Sequence, residues 1–120
     1  MPSFTIAIAD REVEDLKSRL QHARFPDELE DAGWDYGTSL SFLRRFLAYW
    51  GNEFDWRAAE TRLNAYPQFT ATGGGETVHF VHVRGQGANP VPVLLANGWP
   101  SNFVALLPLV DRLTAQIDGL

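Results

Sequence analysis

The stretch Leu94–Phe103, LLANGWPSNF, decides how this chain is read. An apolar run halts at Asn97-Gly98, turns through Trp99-Pro100 and soon restarts as a second apolar segment. The residues leading into it, Val91 to Ala96, are apolar on both faces of an extended chain, which predicts a strand inside a covered sheet. Beyond it, Ser101 is placed to cap a helix over about residues 102–115, with Val104, Leu107, Val110 and Leu113 on its inward rows and Pro108 bending or restarting it. The turn is therefore a strand-to-helix junction. Backbone N–H groups at such a junction lack intrahelical acceptors and stabilise negative charge. Gly98 is expected to take angles closed to other residues, while Pro100 removes one donor and fixes the exit. That leaves the Trp99 N–H aimed into a cleft, the pattern of an oxyanion hole, with Asn97, Gly98 and Pro100 shaping the turn.

Upstream of this junction the periodicity changes character. Phe4, Ile6 and Ile8 alternate with smaller residues, which predicts a short first strand. Asp10 is placed to cap a helix carrying Val13, Leu16, Leu20 and Ala23 on one face, stopped by Phe25-Pro26. The segment 27–39 has no sustained period and reads as a loop whose Trp34 and Tyr36 rings should touch the core. A second helix from Thr38 carries Leu40, Leu43, Leu47 and Trp50 on one stripe and Phe42, Phe46 and Tyr49 on another, ending at Gly51. Asp55 is placed to cap a third helix from Trp56 to about Ala65, and Pro67 marks the expected boundary. From there QFTAT, GGG and ETVHFVHVR predict a hairpin, followed by a loop at Gly85–Pro90.

Composition narrows the function. The chain has 120 residues, 45% of them hydrophobic, enough for a folded domain without disorder throughout. It has no cysteine, so no disulfide, thiolate metal site or thiol nucleophile is available, which fits a reducing cytoplasm. A net charge of −5 with scattered basic residues argues against nucleic-acid binding. The sequence shows neither a secretory leader nor an apolar window of the ~20 residues that span a bilayer, so no membrane partner is expected.

Other residues carry little chemistry by themselves. His79 and His82 point to opposite faces of the predicted strand, against a shared metal. Gly73–Gly75 precedes a strand and lacks the lysine of a phosphate loop, so it reads as a turn. Asp27, Glu28, Glu30 and Asp31 read as a solvated acidic cluster, and the aromatic residues Trp34, Phe42, Tyr49, Trp50 and Trp56 as packing.

Taken in order, DLKSRL, ARFPDE, GWDYGTSLSFLRRFLAYW, FDWRAAETRLNAYPQFT, VHFVHVR and LLANGWPS resemble the N-terminal part of the microsomal-type and juvenile-hormone-type epoxide hydrolases, within the α/β-hydrolase superfamily. The resemblance implies an α/β fold: a helical N-terminal wrapping module over residues 1–70, then the first strands and first helix of a hydrolase core over residues 71–120, incomplete as it stands. It assigns the Trp99 N–H to the oxyanion hole used when an alkyl-enzyme ester is hydrolysed, and it implies no metal or organic cofactor. The family turn reads His-Gly-Trp-Pro-Gly-Ser; Asn97 replaces the histidine here, and Ser101-Asn102 replaces the Gly-Ser. The family's aspartate nucleophile, histidine base and proton-donating tyrosines fall beyond position 120, so these residues alone are expected not to hydrolyse an epoxide. The implied partners are the C-terminal remainder of the hydrolase, or another copy of the chain, and a small-molecule epoxide once the enzyme is complete. The alternative is a free-standing, non-catalytic interaction module derived from such an enzyme.

Overall fold

The computed structural model describes residues 1–86 and 89–115; residues 87–88, part of the expected loop, and 116–120 lie outside the described residues. Its elements are helices α1 (Asp10–Gln21), α2 (Leu40–Asn52) and α3 (Trp56–Asn64), strands β1 (Gln68–Gly73) and β2 (Glu76–Val81), a short 3-10 turn (Phe103–Leu106) and helix α4 (Leu107–Thr114). They fall into two compact units, one formed by Ala7–Ala59 and the other by Met1–Ile6 with Glu60–Leu120.

In the first unit α1 packs against α2. Asp10 is the first helical residue rather than the cap, a role that falls to Ala9 without a side-chain bond. Asp10 and Glu12 therefore lie in the first turn, where carboxylates favour the exposed N–H groups. The loop before α2 is tied down by a residue that the sequence places in a solvated cluster: Glu28 Oε1 accepts the Leu40 N–H at 2.7 Å and so supplies the missing partner at the helix start. Trp34 meets Phe42 at 5.1 Å between ring centroids. The Trp34 and Tyr36 rings, both expected against the core, are exposed, because the loop that carries them lies outside the packed helices. At the start of α3, Asp55 accepts the Ala58 N–H at 2.9 Å, as its capping position predicts.

Phe42, Phe46 and Trp50 recur at the spacing of one helical turn and form a row of rings along α2, with centroids 6.0 and 5.8 Å apart. This row is exposed. Its Phe46 and Trp50, with Val13, Leu16, Phe54 and Trp56, border an apolar groove of about 410 Å³.

Gly51, expected to end α2, instead lies within it and is buried where α2 meets α1; a Cβ built there would stand 3.7 Å from Leu20 Cβ. One methyl group fits that gap and a larger side chain does not. Gly51→Ala is expected to raise stability by about 0.5 kcal/mol through helix propensity, and Gly51→Leu to lower it by roughly 2 kcal/mol by forcing the helices apart. Urea unfolding of the two variants tests the opposite signs.

In the second unit β1 and β2 form an antiparallel hairpin in which Gln68 faces Val81 and Gly73 faces Glu76. Gly74 and Gly75 turn the chain at φ 62° and 87°, in the left-handed region that side chains disfavour. The expected strand at Phe4–Ile8 shrinks to one bridge between Ser3 and Phe69, supported by Phe4 N–H to Gln68 O at 2.8 Å and Thr70 N–H to Pro2 O at 3.1 Å. Past Phe4 the segment leaves β1 for a side chain: Asn64 accepts the Ile6 N–H at 2.9 Å and donates to the Ile6 carbonyl at 2.8 Å. An amide side chain thus ends the ladder by imitating a neighbouring strand.

The central strand expected at Val91–Ala96 does not form, since the sheet consists of β1 and β2 alone among the described residues. Its apolar character is real, but a covered central strand needs hydrogen-bonded backbone neighbours on both edges, and no described strand pairs with it. Val91 and Leu94 are 81% and 93% exposed.

The last helix starts later than predicted. Asn102 rather than Ser101 caps it, accepting the Val104 N–H at 3.0 Å, and Pro108 restarts the 3-10 turn as α4. Helix α4 is fastened by Tyr66, whose hydroxyl is shared between the Asp111 carboxylate oxygens at 2.9 and 2.8 Å. That hydrogen bond raises the Tyr66 pKa above its usual 10.0, with loss of solvation and the carboxylate's charge adding in the same direction. The contribution of the protonated phenol is present below the unfolded value and fades as pH rises through the folded one. Asp111→Asn is expected to lower the Tyr66 ionisation pH, measured by phenolate absorbance.

Candidate functional site

The turn after Ala96 is closed by its own polar atoms. Ser101 donates its N–H to Gly98 O at 2.8 Å, and the Asn97 side chain donates from Nδ2 to Ser101 O at 2.9 Å. Asparagine at this position thus bridges the two ends of the turn. The Trp99-Pro100 peptide is cis. Gly98 stays outside the left-handed region, and a Cβ there would meet nothing within 4 Å. The turn therefore does not use the freedom for which the sequence suggested a glycine; Gly98 contributes its carbonyl.

The Trp99 N–H has no hydrogen-bond partner among the described residues. Its side chain stands away from the protein, 95% exposed. The nearby cavity, about 390 Å³, runs along the β2 residues His79–Val81, the segment Val93–Leu95 and one side of α4. Asn97 belongs to its lining, and Trp99 does not.

In the same unit, reached from the turn through Phe103, lies a polar cluster whose bonds the sequence does not reveal. Gln68 is 3% exposed. Its Nε2 donates to Leu63 O at 2.8 Å, which directs Oε1 toward His79 Nε2, also at 2.8 Å. Because the glutamine oxygen only accepts, His79 Nε2 carries the proton. The His79 ring lies 4.8 Å from that of Phe4 and 5.0 Å from that of Phe103, the latter edge to face. His82 instead approaches Phe69, at 6.4 Å, so the two histidines have separate surroundings. Among the described residues no group of three or more acidic, histidine or cysteine side chains is arranged to hold a metal. No described helix is long and apolar enough to cross a membrane.

A helical module, a hairpin and an apolar segment turning into a helix follow one another as they do in solved epoxide hydrolases of the α/β-hydrolase fold. The family is specific: the model of the epoxide hydrolase N terminus matches residues 1–106, and the chain belongs to that family. It is 34% identical over 115 residues to Epoxide hydrolase 1 of Oryctolagus cuniculus, an alignment covering 92% of this chain and 25% of the relative. Among solved structures, Aspergillus niger epoxide hydrolase superposes with a TM-score of 0.82 at 32% identity, over 92% of this chain and 29% of that one. Juvenile hormone epoxide hydrolase from the silkworm Bombyx mori gives 0.84 at 28% identity, over 98% and 32%. The chain thus spans about a quarter of the length of the curated relatives it matches, 25% in the rabbit case. It corresponds to the N-terminal portion of an epoxide hydrolase.

Proposed function

We propose that this chain supplies the N-terminal module and one oxyanion-hole donor of an enzyme that converts an epoxide and water to a vicinal diol. The observation that carries the reading is the Trp99 N–H, left without a partner among the described residues in a self-closed turn within the family match. In the reaction, a carboxylate from the remainder of the hydrolase attacks an epoxide carbon, the ring C–O bond breaks and the freed oxygen takes a proton from an acid of that remainder, leaving an alkyl-enzyme ester. Water, giving up a proton to a base of the remainder, adds to the ester carbonyl; the negative charge that develops on the carbonyl oxygen is held in part by the Trp99 N–H until the intermediate collapses, freeing the carboxylate and the diol, whose oxygen takes that proton back. The cysteine-free composition supports a cytoplasmic setting.

The C-terminal remainder of the hydrolase is the partner this reading requires. The exposed apolar residues Val91, Val93 and Leu94 support it, since such a run is poorly suited to permanent contact with water. The 120 residues alone are expected to turn over no styrene oxide above a heat-treated control. Joined to the remainder of the Aspergillus niger enzyme, they are expected to yield diol. Diol from the chain alone, or none from a folded fusion, overturns the reading.

A further inference from the structure

The oxyanion turn closes on itself, but something must fix it to the rest of its unit. Ser101–Gly98 and Asn97–Ser101 are bonds internal to the turn, and the Asn102 cap faces forward to Val104. Phe103 is the next residue, and its ring rests edge-on against His79, a residue of β2. His79 in turn is held by the carboxamide oxygen of the buried Gln68, whose own nitrogen is committed to Leu63 O. Phe4 meets the same imidazole. We propose that His79 is the positioning residue of the oxyanion turn: clamped by Gln68, it seats Phe103 and thereby sets where the Trp99 N–H stands.

Both properties of imidazole are used. Its Nε2–H satisfies a buried oxygen that would otherwise lack a partner, and its ring gives Phe103 a flat, polarised contact. Leucine at position 79 provides neither. Phenylalanine keeps the ring and loses the N–H, whereas glutamine keeps a donor and loses the ring. The significance for catalysis rests on the reading of Trp99 as an oxyanion donor, but the positional link stands or falls separately.

Amide exchange on the isotopically labelled 120-residue chain tests that link. In His79→Leu and in Phe103→Leu, the Ser101 N–H is expected to exchange at least about tenfold faster and the Trp99 amide resonance to move, with Leu43 and Leu47 on α2 unchanged. Gly75→Val, which strains the hairpin turn without touching His79, serves as a control for general loss of stability; its Ser101 exchange is expected to stay near the parent value. His79→Phe is expected to fall between the parent and His79→Leu. If His79→Leu does not fold, Phe103→Leu carries the test. A parent-like Ser101 rate and Trp99 resonance in folded Phe103→Leu overturn the proposal, as does equal acceleration in Gly75→Val.

The catalytic consequence is read in the fusion to the Aspergillus niger remainder. There His79→Leu is expected to lower kcat about tenfold with KM little changed, because a displaced donor affects the charged transition state more than the bound epoxide. An inactive parent fusion defeats the functional reading and leaves the exchange result to decide the positional one. An active parent whose variant keeps its kcat defeats the positioning role.

Discussion

Gln68→Leu is expected to cost about 2 kcal/mol of unfolding free energy, because it strands the His79 N–H and removes one of the two donors to the Leu63 carbonyl. The His79 Nε2–H loses its acceptor, whereas the Leu63 carbonyl keeps the Tyr66 N–H at 3.2 Å; Gln68 itself is 3% exposed, so its side chain is not simply exchanged for water. A donor shut away from water costs more unpaired than its bond contributes when made. A double-mutant cycle separates this explanation from simple loss of packing. With His79→Phe, the second variant removes the stranded N–H and keeps a ring of similar shape, so the pair together is expected to cost at least about 1 kcal/mol less than the sum of the singles. Additive losses in urea unfolding, followed by a signal confined to the hairpin unit, show that the polar link is not what holds this region.

The largest expected catalytic effect concerns a single atom. Replacing the Trp99 amide by an ester, through a hydroxy-acid analogue introduced into the fusion enzyme, is expected to lower kcat by about 10²–10³-fold, as removal of an oxyanion donor does elsewhere. KM is expected to move little, since the donor acts on charge that develops only after binding. Trp99→Phe keeps the N–H and isolates any contribution of the indole, which is 95% exposed in this chain. A parent-like kcat in the ester variant removes Trp99 from the oxyanion assignment.

Local rules were the most legible part of the fold. The amphipathic stripes of α1 and α2, the Asp55 cap and the glycine turn of the hairpin depend on neighbours a few residues apart, and the sequence displays those neighbours. What it conceals is set by residues far apart. Glu28 reads as one acid among four until Leu40 presents an unpaired N–H. Phe4–Ile8 has strand periodicity, but Asn64 ends its pairing at the sixth residue. Val91–Ala96 is apolar enough for a central strand, yet strand formation depends on backbone beside it, which its own letters do not encode.

The site was legible to a similar depth. Asn97 to Pro100 stood out because glycine and proline interrupt an apolar run, and the turn occurs where they do. Gly98 was credited with a backbone role it does not have, since a glycine in a turn does not reveal which angle it adopts. Gln68 escapes notice, and His79 reads only as an ordinary strand residue, because each is unremarkable in a strand pattern. A glutamine opening a predicted strand, eleven positions before a histidine, was the available signal.

The clamp of Asn64 on Ile6 also sets an order of events during synthesis. The two residues are 58 positions apart, and the whole of the Ala7–Ala59 unit lies between them. At about 5–20 residues per second, Ile6 leaves the peptidyl transferase centre roughly 3–12 s before its partner has been added. The intervening helical unit is contiguous and is complete by then. Ile6 is therefore made well before the residue that seats it, and during that interval it is an apolar residue whose backbone lacks its native partner.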